Sequence, residues 1–207
     1  MPGLFITFEG GEGSGKSTQI EKLAARLRAR GVDPLLTREP GGTPLAESIR
    51  ALLLAPGAGP NPLGEAFLME AARAEVVAKL IRPALAAGRV VICDRYDDST
   101  LAYQGAGRGL DDALLRAMNR AATGGLVPAL TLLFDLDPQR GLARRSESSG
   151  AMNRLDREPL EFHVRVRERY LALAAAEPAR WVVLDAALPQ AELEQRVWNA
   201  VEPRLTS

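Results

Sequence analysis

The run Gly10-Gly11-Glu12-Gly13-Ser14-Gly15-Lys16-Ser17 fits the spacing G-x-x-x-x-G-K-[ST], with Gly10, Gly15, Lys16 and Ser17 at the fixed positions. Residues of these types at this spacing hold polyphosphates. Glycines without a Cβ let the backbone wrap phosphate oxygens, the lysine reaches the β- and γ-phosphates, and the final hydroxyl takes Mg²⁺. With Thr18 the candidate nucleotide-binding stretch spans residues 10–18. A dinucleotide fingerprint starting at Gly11 is excluded, because its third glycine would stand where Lys16 is. Asp94 is the second position with chemistry, at the end of the apolar run Val90-Val91-Ile92-Cys93. That is the shape of a Walker B strand, whose Asp approaches Mg²⁺ directly or through water. A strand-end Asp can instead cap the next helix; the phosphate loop upstream favours the metal reading.

These residues need a scaffold, and the hydrophobic pattern supplies one. Residues 4–8, 33–37, 89–94, 130–135 and 180–185 read as short buried strands. Helical spacing follows each, first from Lys16 through Ile20, Leu23, Ala24 and Leu27 to the stop at Gly31. Further helices are expected over 44–54, 63–87, after Tyr96 up to Tyr103, from Asp111, over 137–145, 158–176 and 189–203. Pro83 should kink the 63–87 helix, and residues 55–62 and 104–109 read as loops. Strands alternating with helices imply an α/β fold, a five-stranded parallel sheet with helices on both faces. Its ligands sit beyond the carboxyl ends of the strands, where Lys16, Arg38, Asp94 and Arg95 all fall.

The 207-residue length suits a single domain, 1–207, and the hydrophobic share of 46% suffices for a core. Formal net charge is zero, which argues against a nucleic-acid binder. Cys93 is the only cysteine, so no internal disulfide and no thiolate zinc site can form. No apolar run approaches membrane-spanning length and no signal-peptide pattern opens the chain; the expected setting is cytoplasmic. Residues 146–153 are small and polar, flanked by Arg140, Arg144, Arg145, Arg154 and Arg157. Such a segment is expected to be mobile, a lid of about 144–157 over a triphosphate. His163, the only histidine, reads as a helix surface residue.

Phe8-Glu9-Gly10, Thr37-Arg38-Glu39-Pro40-Gly41-Gly42-Thr43, Asp94-Arg95-Tyr96 and Ser99-Thr100-Leu101-Ala102-Tyr103-Gln104-Gly105 occur in that order. Together they resemble the bacterial type of thymidylate kinase, a family of P-loop nucleoside monophosphate kinases, over essentially the whole chain. The resemblance implies γ-phosphoryl transfer from ATP to dTMP with Mg²⁺, by a homodimer. It implies that Arg38 and Arg95 clamp the dTMP phosphate, with Arg50 near them, and that Glu12 faces the sugar 3′-hydroxyl. Arg73 and Gln104 would read thymine, Thr100 would line the base pocket, Tyr103 would face the sugar, and Glu39-Pro40 would be cis. Lys16, Arg95 and the lid's Arg154 would surround the transferred group, with Ser17 and Asp94 at the metal. Two positions depart from the family pattern: Met69 stands where a phenylalanine commonly stacks on the base, and Asn153 where Asp is frequent.

The residues themselves leave alternatives open. Met69 could be core, Arg73 could snorkel from an apolar helix, and Tyr103 could simply pack. A kinase for another small acceptor shares most of these features. A guanine-nucleotide switch needs an Asn-Lys-x-Asp reader, which this chain lacks.

Overall fold

The computed structural model describes residues 3–57, 59–147 and 152–205. Strands β1 Phe5–Glu9, β2 Leu35–Arg38, β3 Val91–Asp94, β4 Leu130–Asp135 and β5 Trp181–Asp185 form one sheet in the order β2-β3-β1-β4-β5. Every pairing is parallel. β4 has its expected bounds, and the other four start one or two residues late. The chain turns to one side of β1 through β2 and β3, then crosses to the other through β4 and β5. That reversal opens a crevice at the carboxyl end of β1.

Both sheet faces are covered, so the strands are continuous apolar runs instead of alternating ones. On one face Ile6, Phe8, Ile92, Leu132 and Phe134 pack against Leu23 and Leu27 of α1 (Lys16–Arg28) and Val197 and Trp198 of α9 (Gln190–Val201). On the other, Phe5, Val91 and Cys93 meet Val76, Val77 and Ile81, while Leu133 and Trp181 meet Phe162, Val166 and Tyr170 of α8 (Leu160–Ala176). Cys93 is buried and free, as its apolar strand implied. α2 (Pro44–Leu54) matches expectation, with Thr43 capping it through Ala46 N–H at 3.2 Å. Asp111 likewise caps α6 (Asp112–Thr123), at 2.8 Å from Leu114 N.

Several sequence expectations need correction. The 63–87 helix is not continuous: α3 (Pro62–Val76) passes through a wide π turn, Val77–Ile81, into α4 (Arg82–Ala86). Pro83 has no N–H to donate and its ring crowds the preceding turn, and the widened turn absorbs both effects. The 104–109 loop is largely helical as well. A short α5 (Asp97–Thr100) runs on as a π turn, Leu101–Gly107, in which Arg108 N–H reaches Tyr103 O at 2.9 Å. Its glycines serve close approach: a Cβ at Gly107 would strike the Phe162 ring. Ser146 and Glu147, expected in the loop, end α7 (Pro138–Glu147); residues 148–151 lie outside the described residues. His163 is buried at 5% exposure, not a surface residue.

None of the described helices is long and apolar enough to cross a membrane. α7 leans on the phosphate loop through backbone. Gly13, at φ 64°, faces the Gly141 carbonyl, and a Cβ on Gly141 would run into the Glu12 carbonyl oxygen. Gly141→Ala should therefore destabilise the fold by about 1–3 kcal/mol and displace the loop. Urea unfolding and nucleotide affinity check this, and an unchanged midpoint with unchanged affinity would refute the contact.

Candidate active site

β1 delivers the phosphate loop, and α1 begins at Lys16 with Gly15 at φ 85° as its N-cap. Only a residue without Cβ takes that backbone easily, and the turn aims the first N–H groups of α1 outward. Lys16 Nζ curls back to the carbonyls of Gly10 and Gly11 at 3.0 and 2.8 Å and to Ser14 Oγ at 3.2 Å. Burial, and then Arg95, lower its ammonium from 10.5 to about 8. Ser17 Oγ donates to Asp94 Oδ2 at 3.2 Å, so the two expected metal-side residues are neighbours.

A cleft of about 420 Å³ runs from this loop to the ends of β2 and β3. It is lined by residues 12–18 and by Arg38, Glu39, Arg50, Asp94 and Arg95, joined by Arg144, Arg145 and Asn153. Two groups of cations therefore face one cavity. Arg38 pairs with Glu47 at 3.0 Å, and Arg50 donates to Pro40 O at 2.9 Å beside the cis Glu39-Pro40 bond. Burial and then Arg38 pull the Arg50 guanidinium below its ordinary value. Cations crowded this way suit an anion between them.

Arg95 is the one described non-glycine residue with positive φ, 71°. This uncommon backbone turns its guanidinium into the cleft, where Nη2 meets Glu12 Oε1 at 2.7 Å and Nη1 meets Tyr170 Oη at 3.2 Å. Tyr103 also donates to Glu12 Oε1, at 2.9 Å, and lies under Arg95 with its ring centroid 4.8 Å away. Burial alone would raise the Glu12 carboxyl; Arg95, then Lys16 and Tyr103 outweigh it and hold the group at about 2.

Other sequence-predicted residues lie deeper. Arg73 is 1% exposed, which excludes snorkelling. Its Nε donates to Glu39 at 2.8 Å, Nη1 to Thr100 and Asn119 at 2.9 Å each and to Glu70, and Nη2 to Tyr96 O at 3.0 Å. Met69 packs against α2 through Ala46, Ile49 and Leu53. Gln104 donates to Glu65 Oε1 at 2.8 Å, and its own Oε1 has no partner among the described residues. Arg154 does not line the cleft. It is ion-paired with the same Glu65 and donates to Leu53 O at 3.1 Å. Arg145 pairs with Asp156 at 3.1 Å.

Sequence reasoning gave no side-chain role to Glu9, Glu39, Glu65, Glu70 or Tyr170. Glu9 is completely buried, accepting from Tyr96 N–H at 2.8 Å, Ser99 Oγ at 2.6 Å and Tyr170 Oη at 2.8 Å. The available signal was a carboxylate closing an otherwise apolar strand.

This fold and site define the class: a P-loop phosphotransferase with a phosphate loop on one side of its cleft and an arginine group opposite. The thymidylate kinase family model matches residues 8–197. The chain is 54% identical over 202 residues to a thymidylate kinase of Deinococcus radiodurans, covering 98% of both chains. It is 57% identical to one of Thermomicrobium roseum, covering 95% of this chain and 93% of the relative. The crystal structure of the Ehrlichia chaffeensis thymidylate kinase superposes with a TM-score of 0.79 at 35% identity, covering 97% and 99%. The chain belongs to the thymidylate kinase family.

Burial, and then Asp98, raise Glu9 from 4.5 to about 7, and burial does the same to Glu39. Between those pH values the unfolded chain has released protons that the folded chain keeps, so stability falls as pH rises from about 4.5 to 7 and levels off above. Glu9→Gln keeps the hydrogen-bonding shape and should flatten part of that slope. Urea unfolding at pH 5 and 7.5 measures it; a variant losing as much stability as the parent would refute the assignment.

Proposed function

We propose that this chain transfers the γ-phosphoryl group of ATP to dTMP, giving dTDP and ADP, a step toward dTTP. The observation that carries the reading is the single cleft faced by Lys16 and the phosphate loop on one side and by Arg38, Arg50 and Arg95 on the other. The loop holds the triphosphate, and the arginines hold the acceptor phosphate. Two polyanions are thereby brought together in line, and positioning with charge neutralisation is most of what this reaction requires.

Ser17 and Asp94, with phosphate oxygens, make the oxygen-only donor set that Mg²⁺ prefers. The ion would neutralise charge on the triphosphate. Arg95 would bridge the transferred group, kept in place by Glu12, and Glu12 and Tyr103 would bound the sugar. The base would lie against Arg73, Thr100 and Gln104, over Met69. Thymine presents acceptor, donor and acceptor along its polar edge. Against it stand an Arg73 Nη2–H beyond the bond to Tyr96, the Thr100 hydroxyl, and the second N–H of Gln104.

Residues 144–157 form the lid of a single domain in this reading. Arg154 and Gln104 share Glu65, so base entry and release of Arg154 go together. Arg144 and Arg145, which line the cleft already, are the rival donors of lid charge. The buried, free Cys93 suits a reducing cytoplasm. Exposed Leu63 and Phe67, one turn apart on α3, offer an apolar face for a homodimer.

ADP release measured across nucleoside monophosphates should show dTMP preferred over dCMP, dGMP and UMP; equal turnover of dCMP and dTMP would overturn the assignment. Arg154→Ala should lower kcat on the order of 10³-fold without weakening dTMP binding, and Lys should rescue only partly, lacking the planar fork. Near-normal kcat there, with loss in Arg144→Ala or Arg145→Ala, would move the role to the rival. In sedimentation at micromolar concentration the protein should run as a dimer, and a monomer would exclude the α3 face.

A further inference from the structure

The Thr100 hydroxyl has three hydrogen-bonding valences, one donor and two acceptors. Two are spent inside the protein. Its proton goes to Glu70 Oε1 at 3.2 Å, and one lone pair takes Arg73 Nη1 at 2.9 Å. What remains is a lone pair on a side chain with no solvent exposure. Glu70 enforces this polarity, because its Oε1 is also the partner of Arg73 and an ionised carboxylate has no proton to give back. Glu70 is itself 7% exposed, and its Oε2 has no partner among the described residues.

We infer that Glu70 is a specificity-determining positioning residue: by taking the Thr100 proton it converts an ambivalent hydroxyl into an acceptor, which selects a base whose facing ring nitrogen carries hydrogen. This rests on the base position proposed above. Thymine meets the requirement with N3–H, whereas cytosine presents a bare N3, and two lone pairs would then face each other in a buried site. A buried polar group left without its partner is the strongest discriminator a pocket has. Without Glu70 the Thr100 proton is free to turn toward cytosine N3. Glutamine at position 70 should preserve the effect, since Arg73 holds the amide oxygen, and not the nitrogen, toward Thr100.

The test is the ratio of kcat/KM for dTMP to that for dCMP. Glu70→Ala should lower it about tenfold or more, Glu70→Gln should retain it, and Thr100→Val should lower it as Glu70→Ala does. The double variant Glu70→Ala/Thr100→Val should add nothing further, as expected of residues acting through one contact. A second probe spares the fold: N3-methyl-dTMP, which keeps both carbonyl acceptors and lacks N3–H, should lose at least tenfold in kcat/KM with the parent enzyme. A shifted ratio in Thr100→Val with an unchanged ratio in Glu70→Ala would overturn the role of Glu70 and leave the base position standing. Equal turnover of the analogue and dTMP would overturn the donor requirement. If Thr100→Val changes neither KM nor the ratio, the base position fails and this inference with it.

Discussion

One buried carboxylate holds the working end of the sheet together. Glu9 closes the central strand and accepts from Tyr96 N–H, Ser99 Oγ and Tyr170 Oη. Those partners come from the segment after β3 and from α8, so three parts of the chain meet at one group. Burying it costs enough to raise its pKa to about 7, and the cost is met by satisfying its oxygens. Directly beyond it the chain enters the phosphate loop. The Tyr96 bond also fixes the residue after Arg95, whose left-handed backbone would otherwise relax. The phosphate loop and the opposing arginine are thus referenced to the same atom pair.

A second buried cluster organises the other end of the cleft. Arg73 touches Glu39 and Glu70, with Thr100, Asn119 and the Tyr96 carbonyl completing its shell. Burial opposes a charged guanidinium, yet Glu39 and then Glu70 carry it well above its ordinary value. Such ion pairs add little net stability compared with an apolar core, but losing one partner is expensive, about 3–5 kcal/mol. The arrangement suits recognition better than stability. It links the turn after β2, α3 and α5.

Charge shapes the cleft between these clusters. Lys16, Arg38, Arg50 and Arg95 line one cavity, with Glu12 inside it held ionised by Arg95 and Lys16. Burial, and then the neighbouring Arg95, push Lys16 down to about 8. A polyanion entering such a space relieves repulsion as well as making new contacts. The Arg154–Glu65 pair, by contrast, stands outside the cleft and shares its carboxylate with Gln104 and Arg108.

Much of this was legible in the residues. The phosphate-loop spacing, the five apolar runs and the caps at Thr43 and Asp111 depend on neighbours in the chain, so local chemistry determines them. They sufficed for the parallel sheet, the carboxyl-end site and the family. What the sequence could not express was partnership across distance. Glycines at 105 and 107 look like loop signals until Leu115 closes on the first and Phe162 occupies the space left by the second. Pro83 announced a disturbance, but whether it becomes a kink or a wide turn rests on packing against the sheet. His163, Glu9, Glu65 and Glu70 read as ordinary polar residues because burial belongs to the assembled fold. The sequence by itself determined which elements form and where phosphate chemistry lies; tertiary structure alone decided which charges are desolvated, who shares their hydrogen bonds, and therefore which way each proton points.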